Sequence, residues 1–150
     1  MKIALGADHA GFELKEKLRG YLQQKGISVD DRGTKSADSV DYPDYARLVS
    51  EDVINKKADF GILVCGSGIG MSIAANKVAG IRAVNAHDEI EAHLAREHNN
   101  ANVLTLGGRF LDESAAQKII DKWLTTPFAG GRHAQRVDKI AAIERTEVPR

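Results

Sequence analysis

The sequence predicts an α/β fold with a mostly parallel sheet covered on both faces, on three observations. Short apolar runs alternate with amphipathic stretches of helical spacing along the chain, which is the pattern of successive βα units. One run, "FGILVCG" (60–66), is apolar throughout, as a strand buried on both faces is. The 150 residues, 43% hydrophobic and 28% charged, suit one domain over 1–150 with a core of its own.

The elements follow in order. "KIALGA" (2–7) reads as a strand. The stretch 11–26 reads as a helix with Leu14, Leu18, Tyr21 and Leu22 on one face and Gly26 as its stop signal. "ISVDDRG" (27–33) is a weaker strand, and a polar loop fills 34–41. Tyr45, Leu48, Val49 and Val53 have helical spacing in 42–57, where Pro43 suits a helix start. The strand 60–66 is followed by a helix over 69–78 and a strand over 81–86. Asp88 and Glu91 are spaced as a capping box for a helix over 88–99. A strand over 102–108, a helix over 112–126, the turn "PFAGG" and a helix over 133–145 complete the chain.

Composition narrows the function. The formal net charge is +0, so the basic footprint of a nucleic-acid binder is absent. No stretch approaches the roughly 20 apolar residues of a membrane span. "MKIALGADHAG" is too short and too polar for a signal peptide. A single cysteine, Cys65, excludes an intrachain disulfide, and a reducing, cytoplasmic setting is expected. The five histidines (9, 87, 93, 98 and 133) lack ligand spacing with the cysteine, so no metal is expected.

In parallel α/β sheets, ligands bind at the carboxyl ends of the strands. Those ends carry Asp8 and His9, then Cys65 to Gly70, then His87 and Asp88, then Gly107, Gly108 and Arg109. All should share one end of the domain. Gly66, Gly68 and Gly70 alternate directly after the buried strand. Glycines there allow a sharp turn with N–H groups aimed into a pocket. The following helix adds its own unpaired N–H groups and the positive end of its dipole. Such a nest suits a phosphate or a transient oxyanion, and its field favours the thiolate of Cys65. The dinucleotide fingerprint fails because Met71 stands at its sixth position. A cysteine phosphatase pattern fails because Met71 also stands where its arginine belongs. The plainer reading of Cys65 is a small buried hydrophobe.

Five blocks in order, "GADHAGFELK", "DYPDYA", "CGSGIGMSIAANKVAGIRA", "REHNNANVLTLGGR" and "GGRHAQRV", resemble the ribose-5-phosphate isomerase B family. That family sits among the sugar-phosphate isomerases with galactose-6-phosphate isomerase. The resemblance spans residue 3 to about residue 145. It implies a Rossmann-like three-layer sandwich with a five-stranded parallel sheet, and a homodimer or dimer of dimers with active sites at the interface. The implied reaction interconverts ribose 5-phosphate and ribulose 5-phosphate through a cis-enediolate, without cofactor or metal.

The resemblance also implies residue roles. Cys65 is the C2 base of the cysteine branch; the other branch has a glutamate further along the loop, where this chain reads "GMSIAA". Ser67 adds a hydroxyl at the reacting oxygens, and Gly66, Gly68, Ile69 and Gly70 supply the amide nest. His98 opens the furanose ring with help from Asp8, and Asn99 accompanies His98. His9, Arg109, Arg132 and Arg136 bind the phosphate, and Tyr42 lines the sugar site. Plainer readings exist: His98 as a histidine stabilised at a helix C-terminus, the two C-terminal arginines as a solvated face, Tyr42 as a core aromatic.

Geometry adds one expectation. A helix ending at His98 runs antiparallel to the strands, so His98 should lie at the opposite end of the sheet from Cys65. If both serve one site, a second chain supplies His98. Arg132 and Arg136, four residues apart, share a face if helical, and the helix 133–145 is a candidate to cross to the partner. Two alternatives stay open: an isomerase of a six-carbon aldose 6-phosphate (allose or galactose), and a non-catalytic phosphate-binding module.

Overall fold

The structure, a computed structural model, describes residues 1–145. Its elements are β1 (Lys2–Ala7), α1 (Phe12–Gln24), β2 (Ser28–Asp31), α2 (Tyr42–Ile54), β3 (Phe60–Cys65), α3 (Ile69–Ala75), β4 (Ala83–Asn85), α4 (Glu89–Glu97), β5 (Val103–Gly107), α5 (Glu113–Thr125) and α6 (Arg132–Glu144). The five strands pair in the order β2-β1-β3-β5-β4, and every pair is parallel.

β3 lies at the centre of the sheet because its residues leave no polar face. Ile62, Leu63 and Val64 have no solvent exposure, and each such side chain contributes about 1.5–3 kcal/mol of burial free energy. Side chains alternate across a strand, so Ile62 and Val64 join one core and Leu63 and Cys65 the other. The first core takes Leu14, Leu18 and Leu22 from α1, Ala92 and Ala95 from α4, and Ile119, Ile120 and Trp123 from α5. The second takes Ala46, Val49 and Val53 from α2 and Met71 and Ala75 from α3. The result is three layers, with α1, α4 and α5 on one face and α2 and α3 on the other.

This winding fixes where a ligand goes. After β1 the chain crosses by α1 to β2 on one side; it then crosses by α2 to β3 on the opposite face. Strand order therefore reverses between β1 and β3, which opens a crevice at their carboxyl ends. α6 belongs to neither core: none of its residues is buried, and Ile140 and Ile143 are exposed. It is tethered instead by the Gly80 N–H donating to Glu144 at 2.9 Å.

Element ends depart slightly from expectation. α3 stops at Ala75 rather than 78 because the Asn76 amide turns to the sheet. Its Nδ2 donates to the Ala83 carbonyl at 2.9 Å, and its Oδ1 accepts from the Ala83 N–H at 2.7 Å. The start of α4 forms half of the expected capping box: Asp88 Oδ1 accepts from the Glu91 N–H at 2.8 Å. Glu91 reaches one residue further back, accepting from the His87 N–H at 2.6 Å.

Candidate active site

A cavity of about 350 Å³ opens at the β1/β3 switch point, lined by Asp8, His9, Ala10, Tyr42, Cys65, Gly66, Ser67, Gly70, Arg109 and Phe110. That volume is at the small end of the range for small-molecule sites, roughly 300–1,000 Å³. Eight of the sequence-predicted residues meet in it, from four segments far apart in the chain.

Each is placed by its own local device. Asp8 leaves β1 with its carboxylate accepting from the Gly11 N–H at 3.0 Å, and it is buried. His9 Nδ1 accepts from the Val40 N–H at 3.2 Å. That bond leaves Nε2 as the position of the ring proton, so the side chain can offer an N–H to an anion. Cys65 ends β3 and is 5% exposed. The Gly68 N–H donates to its Sγ at 3.1 Å, so a backbone dipole of the loop is aimed at the sulfur. The Ile69 N–H donates to Ser67 Oγ at 3.2 Å, so the loop also holds the serine hydroxyl. The Ile69 side chain is 56% exposed, which leaves only its amide to serve the loop.

The alternating glycines are required by their neighbours. Gly68 has φ +80°, the left-handed conformation that favours glycine. A side chain at Gly66 would meet Arg109 Nη1 at 3.0 Å, and one at Gly70 would meet the Tyr42 ring at 2.7 Å. Glycines thus let an arginine and a tyrosine close over the loop. Arg109 is fixed by its N–H donating to the Gly66 carbonyl at 3.0 Å, next to the Gly108 N–H bond to the Cys65 carbonyl at 2.7 Å. Tyr42 opens α2 and is 40% exposed, so it is a rim residue and not a core aromatic.

The remaining predicted residues gather elsewhere. His98 caps the C-terminal end of α4, beside the amino ends of the strands, where the Ala101 N–H bonds the Ala95 carbonyl. Its ring stacks on His133 with centroids 4.3 Å apart and planes 11° from parallel, and its Nε2 is 3.4 Å from Glu97 Oε2. Desolvation, together with the positive charge of His98, Arg132 and Arg136, holds His133 below the usual imidazole range. Arg132 and Arg136 both lie on α6, so the cationic pair accompanies His98. The Asn99 carbonyl accepts from Arg82 Nε at 3.0 Å, and its side chain borders a second cavity with Ile140, Ile143 and Glu144. His87 and Asp88 line a neighbouring cavity with Asp112 and Lys118: they share the carboxyl edge with Cys65 but not its pocket.

A family model described as Ribose/Galactose Isomerase matches residues 3–140. The chain belongs to that family. Ribose-5-phosphate isomerase B of Escherichia coli (strain K12) is 49% identical over 143 residues, 95% of this chain and 96% of the relative. The D-erythrulose-4-phosphate isomerase of Pectobacterium atrosepticum is 44% identical over 148 residues, 98% of this chain and 97% of the relative. A crystal structure of a ribose 5-phosphate isomerase from Thermotoga maritima superposes with a TM-score of 0.92 at 56% identity, covering 93% of this chain and 97% of that one. Membership of the isomerase family agrees with the site's make-up: a thiol, a hydroxyl, a buried carboxylate, an imidazole and an arginine around one crevice.

Three site-shaping residues escape a reading of the sequence. Asn85 and Thr105 lie under the glycine loop: Asn85 Nδ2 donates to the Ser67 carbonyl at 3.2 Å, and Thr105 Oγ1 donates to the Gly68 carbonyl at 2.9 Å. Phe110, 76% exposed at the cavity mouth, is the third. Their only signal in the sequence is a position on, or just after, a strand that ends at the ligand edge.

Proposed function

We propose that the protein interconverts ribose 5-phosphate and ribulose 5-phosphate, with Cys65 as the base at C2. The observation that carries this reading is the convergence of Cys65, Ser67, Asp8, His9, Tyr42 and Arg109 on one crevice, in a chain of the isomerase family.

In the reaction, Cys65 Sγ takes the C2 hydrogen of the open-chain aldose as a proton and returns it to C1. One proton moves from O2 to O1, and no electrons leave the sugar. The Gly68 N–H, 3.1 Å from Sγ, aims a backbone dipole at the sulfur that performs this step. Ser67 Oγ, held by the Ile69 amide, stands ready to pass the oxygen proton. Loop amides and the helix α3 dipole oppose the charge of the enediolate. His9 and Arg109 hold the phosphate, and binding energy at that remote group orients C1 and C2 against the thiol.

Ring opening falls to His98 with Asp8. Since the two lie at opposite sheet edges of one chain, His98 comes from a partner subunit, bringing Asn99, Arg132 and Arg136. A homodimer with interfacial sites, or a pair of such dimers, follows, with α6 crossing between chains. The lone thiol and the absence of a disulfide suit a reducing cytoplasm.

The test is a coupled assay of five- and six-carbon aldose phosphates by kcat/KM, paired with release of deuterium from C2 in wild type and Cys65→Ala. The reading predicts highest kcat/KM for ribose 5-phosphate. It also predicts a loss of about 10³-fold or more in Cys65→Ala, with ligand affinity kept within about threefold. Wild-type deuterium release by Cys65→Ala removes the base assignment. Tight sugar-phosphate binding by the wild type without turnover of any aldose phosphate favours a binding module instead.

A further inference from the structure

We propose that Asn85 and Thr105 are positioning residues that set Cys65 and Ser67 through one peptide each of the glycine loop; the catalytic part of this inference rests on the function proposed above. Asn85 and Thr105 are register partners on β4 and β5, and both side chains point under residues 66–70. Asn85 Nδ2 holds the Ser67 carbonyl at 3.2 Å. A trans peptide is planar, with its C=O and N–H on opposite sides. Pulling that carbonyl toward the sheet therefore turns the N–H of the same peptide, that of Gly68, outward. This is the N–H that reaches Cys65 Sγ at 3.1 Å.

Thr105 repeats the device one peptide later. Its Oγ1, fully buried, donates to the Gly68 carbonyl at 2.9 Å. The N–H of that peptide belongs to Ile69, and it holds Ser67 Oγ at 3.2 Å. A hydroxyl has one hydrogen; the shorter bond takes it, and Asn85 Oδ1 at 3.3 Å is the weaker alternative. The arrangement leaves no spare room. A Cβ on Gly68 would stand 2.2 Å from Asn85 Oδ1, and one on Gly107 would stand 2.8 Å from the Ser67 carbonyl oxygen. The register of the last two strands is thus transmitted, through two carbonyls, to the sulfur and the hydroxyl.

Thr105→Val removes the hydroxyl and keeps the shape. The Gly68 carbonyl retains a bond from the Ser72 N–H at 3.1 Å, so folding is preserved. Asn85→Leu removes the other tie, and Thr105→Ser restores the hydroxyl. Two readouts are taken: amide hydrogen exchange of residues 66–70 without substrate, and kcat and KM with ribose 5-phosphate. Both disruptive variants should exchange Gly68 and Ile69 about tenfold faster and lose about tenfold in kcat with KM within about twofold. Thr105→Ser should recover most of both losses. Wild-type exchange or wild-type kcat in both disruptive variants overturns the inference, as does a Thr105→Ser no better than Thr105→Val. A wild-type enzyme inactive on every aldose phosphate refutes the proposed function, while the exchange experiment still decides whether the two side chains hold the loop.

Discussion

Gly68 shows how tightly the site is specified at a single residue. Its φ of +80° costs a residue with a Cβ about 1–2 kcal/mol, and the Asn85 amide already fills the space of a side chain. Gly68→Ala should lower stability by about 1–3 kcal/mol and, by displacing the N–H from Cys65, lower kcat as well. Denaturant midpoints with an unchanged m-value and steady-state kinetics check this; a variant as stable and as fast as wild type would show that the loop relaxes freely. At this scale the sequence is informative where chemistry is local. Cys65, Ser67 and the glycines declare themselves because a lone thiol, a hydroxyl and alternating glycines follow directly on an apolar strand. Asn85 and Thr105 do not, because their role exists only once β4 and β5 are in register. His9 lies between: its position beside Asp8 is legible, but the Val40 N–H that fixes its tautomer comes from a loop with no periodic pattern.

Elements are legible to the extent that burial is periodic. β3 and α5 are read correctly because their apolar residues fill one period without interruption. The far end of α3 is misread because the decision belongs to the Asn76 bonds with Ala83, a contact across the chain. The edge strand β2 is weak in sequence for a related reason: it is held by charge. Lys15, with no exposed side-chain surface, binds Asp31 at 2.8 Å. Burial alone would raise the Asp31 carboxyl, but the hydrogen bonds from Lys15 and the Gly33 N–H outweigh it and hold it below the usual carboxylate range. The folded state thus prefers the ionised form. Its stabilisation is complete above the unfolded value, near 3.8, and is lost as pH falls through the lower folded value. Asp31→Asn should cost about 3 kcal/mol near neutrality, and the difference from wild type should narrow on the acid side of that window. Urea midpoints from pH 7 to pH 2.5 check it; parallel curves would show that the pair does not titrate with folding.

Across the whole molecule, the predicted machinery falls into two groups at opposite edges of one sheet. β3 runs from Phe60 to Cys65, so the edges are separated by roughly 17 Å. At one edge are Cys65, Ser67, Asp8, His9, Tyr42 and Arg109. At the other are His98, stacked on His133, with Arg132 and Arg136 on a helix that buries none of its own residues. Ile69, Ile73 and Phe110 are all more than half exposed, an apolar surface beside the crevice such as a subunit contact uses. This division was legible in advance from helix direction alone, since α4 must return antiparallel to the strands. That Arg132 and Arg136 travel with His98 was not, because that depends on the stacking of α6 against the end of α4.

The direct measurement is complementation between inactive chains. Cys65→Ala and His98→Ala proteins are unfolded together, refolded as an equal mixture, and assayed on ribose 5-phosphate with hybrid dimers confirmed by native mass spectrometry. If Cys65 acts with His98 of the partner subunit, each hybrid has one intact site and one doubly defective site. Half of the dimers are hybrids, so about one quarter of wild-type activity returns. If both residues act within one chain, every site in every dimer carries a lesion, and activity stays at the level of the separate mutants despite hybrid formation.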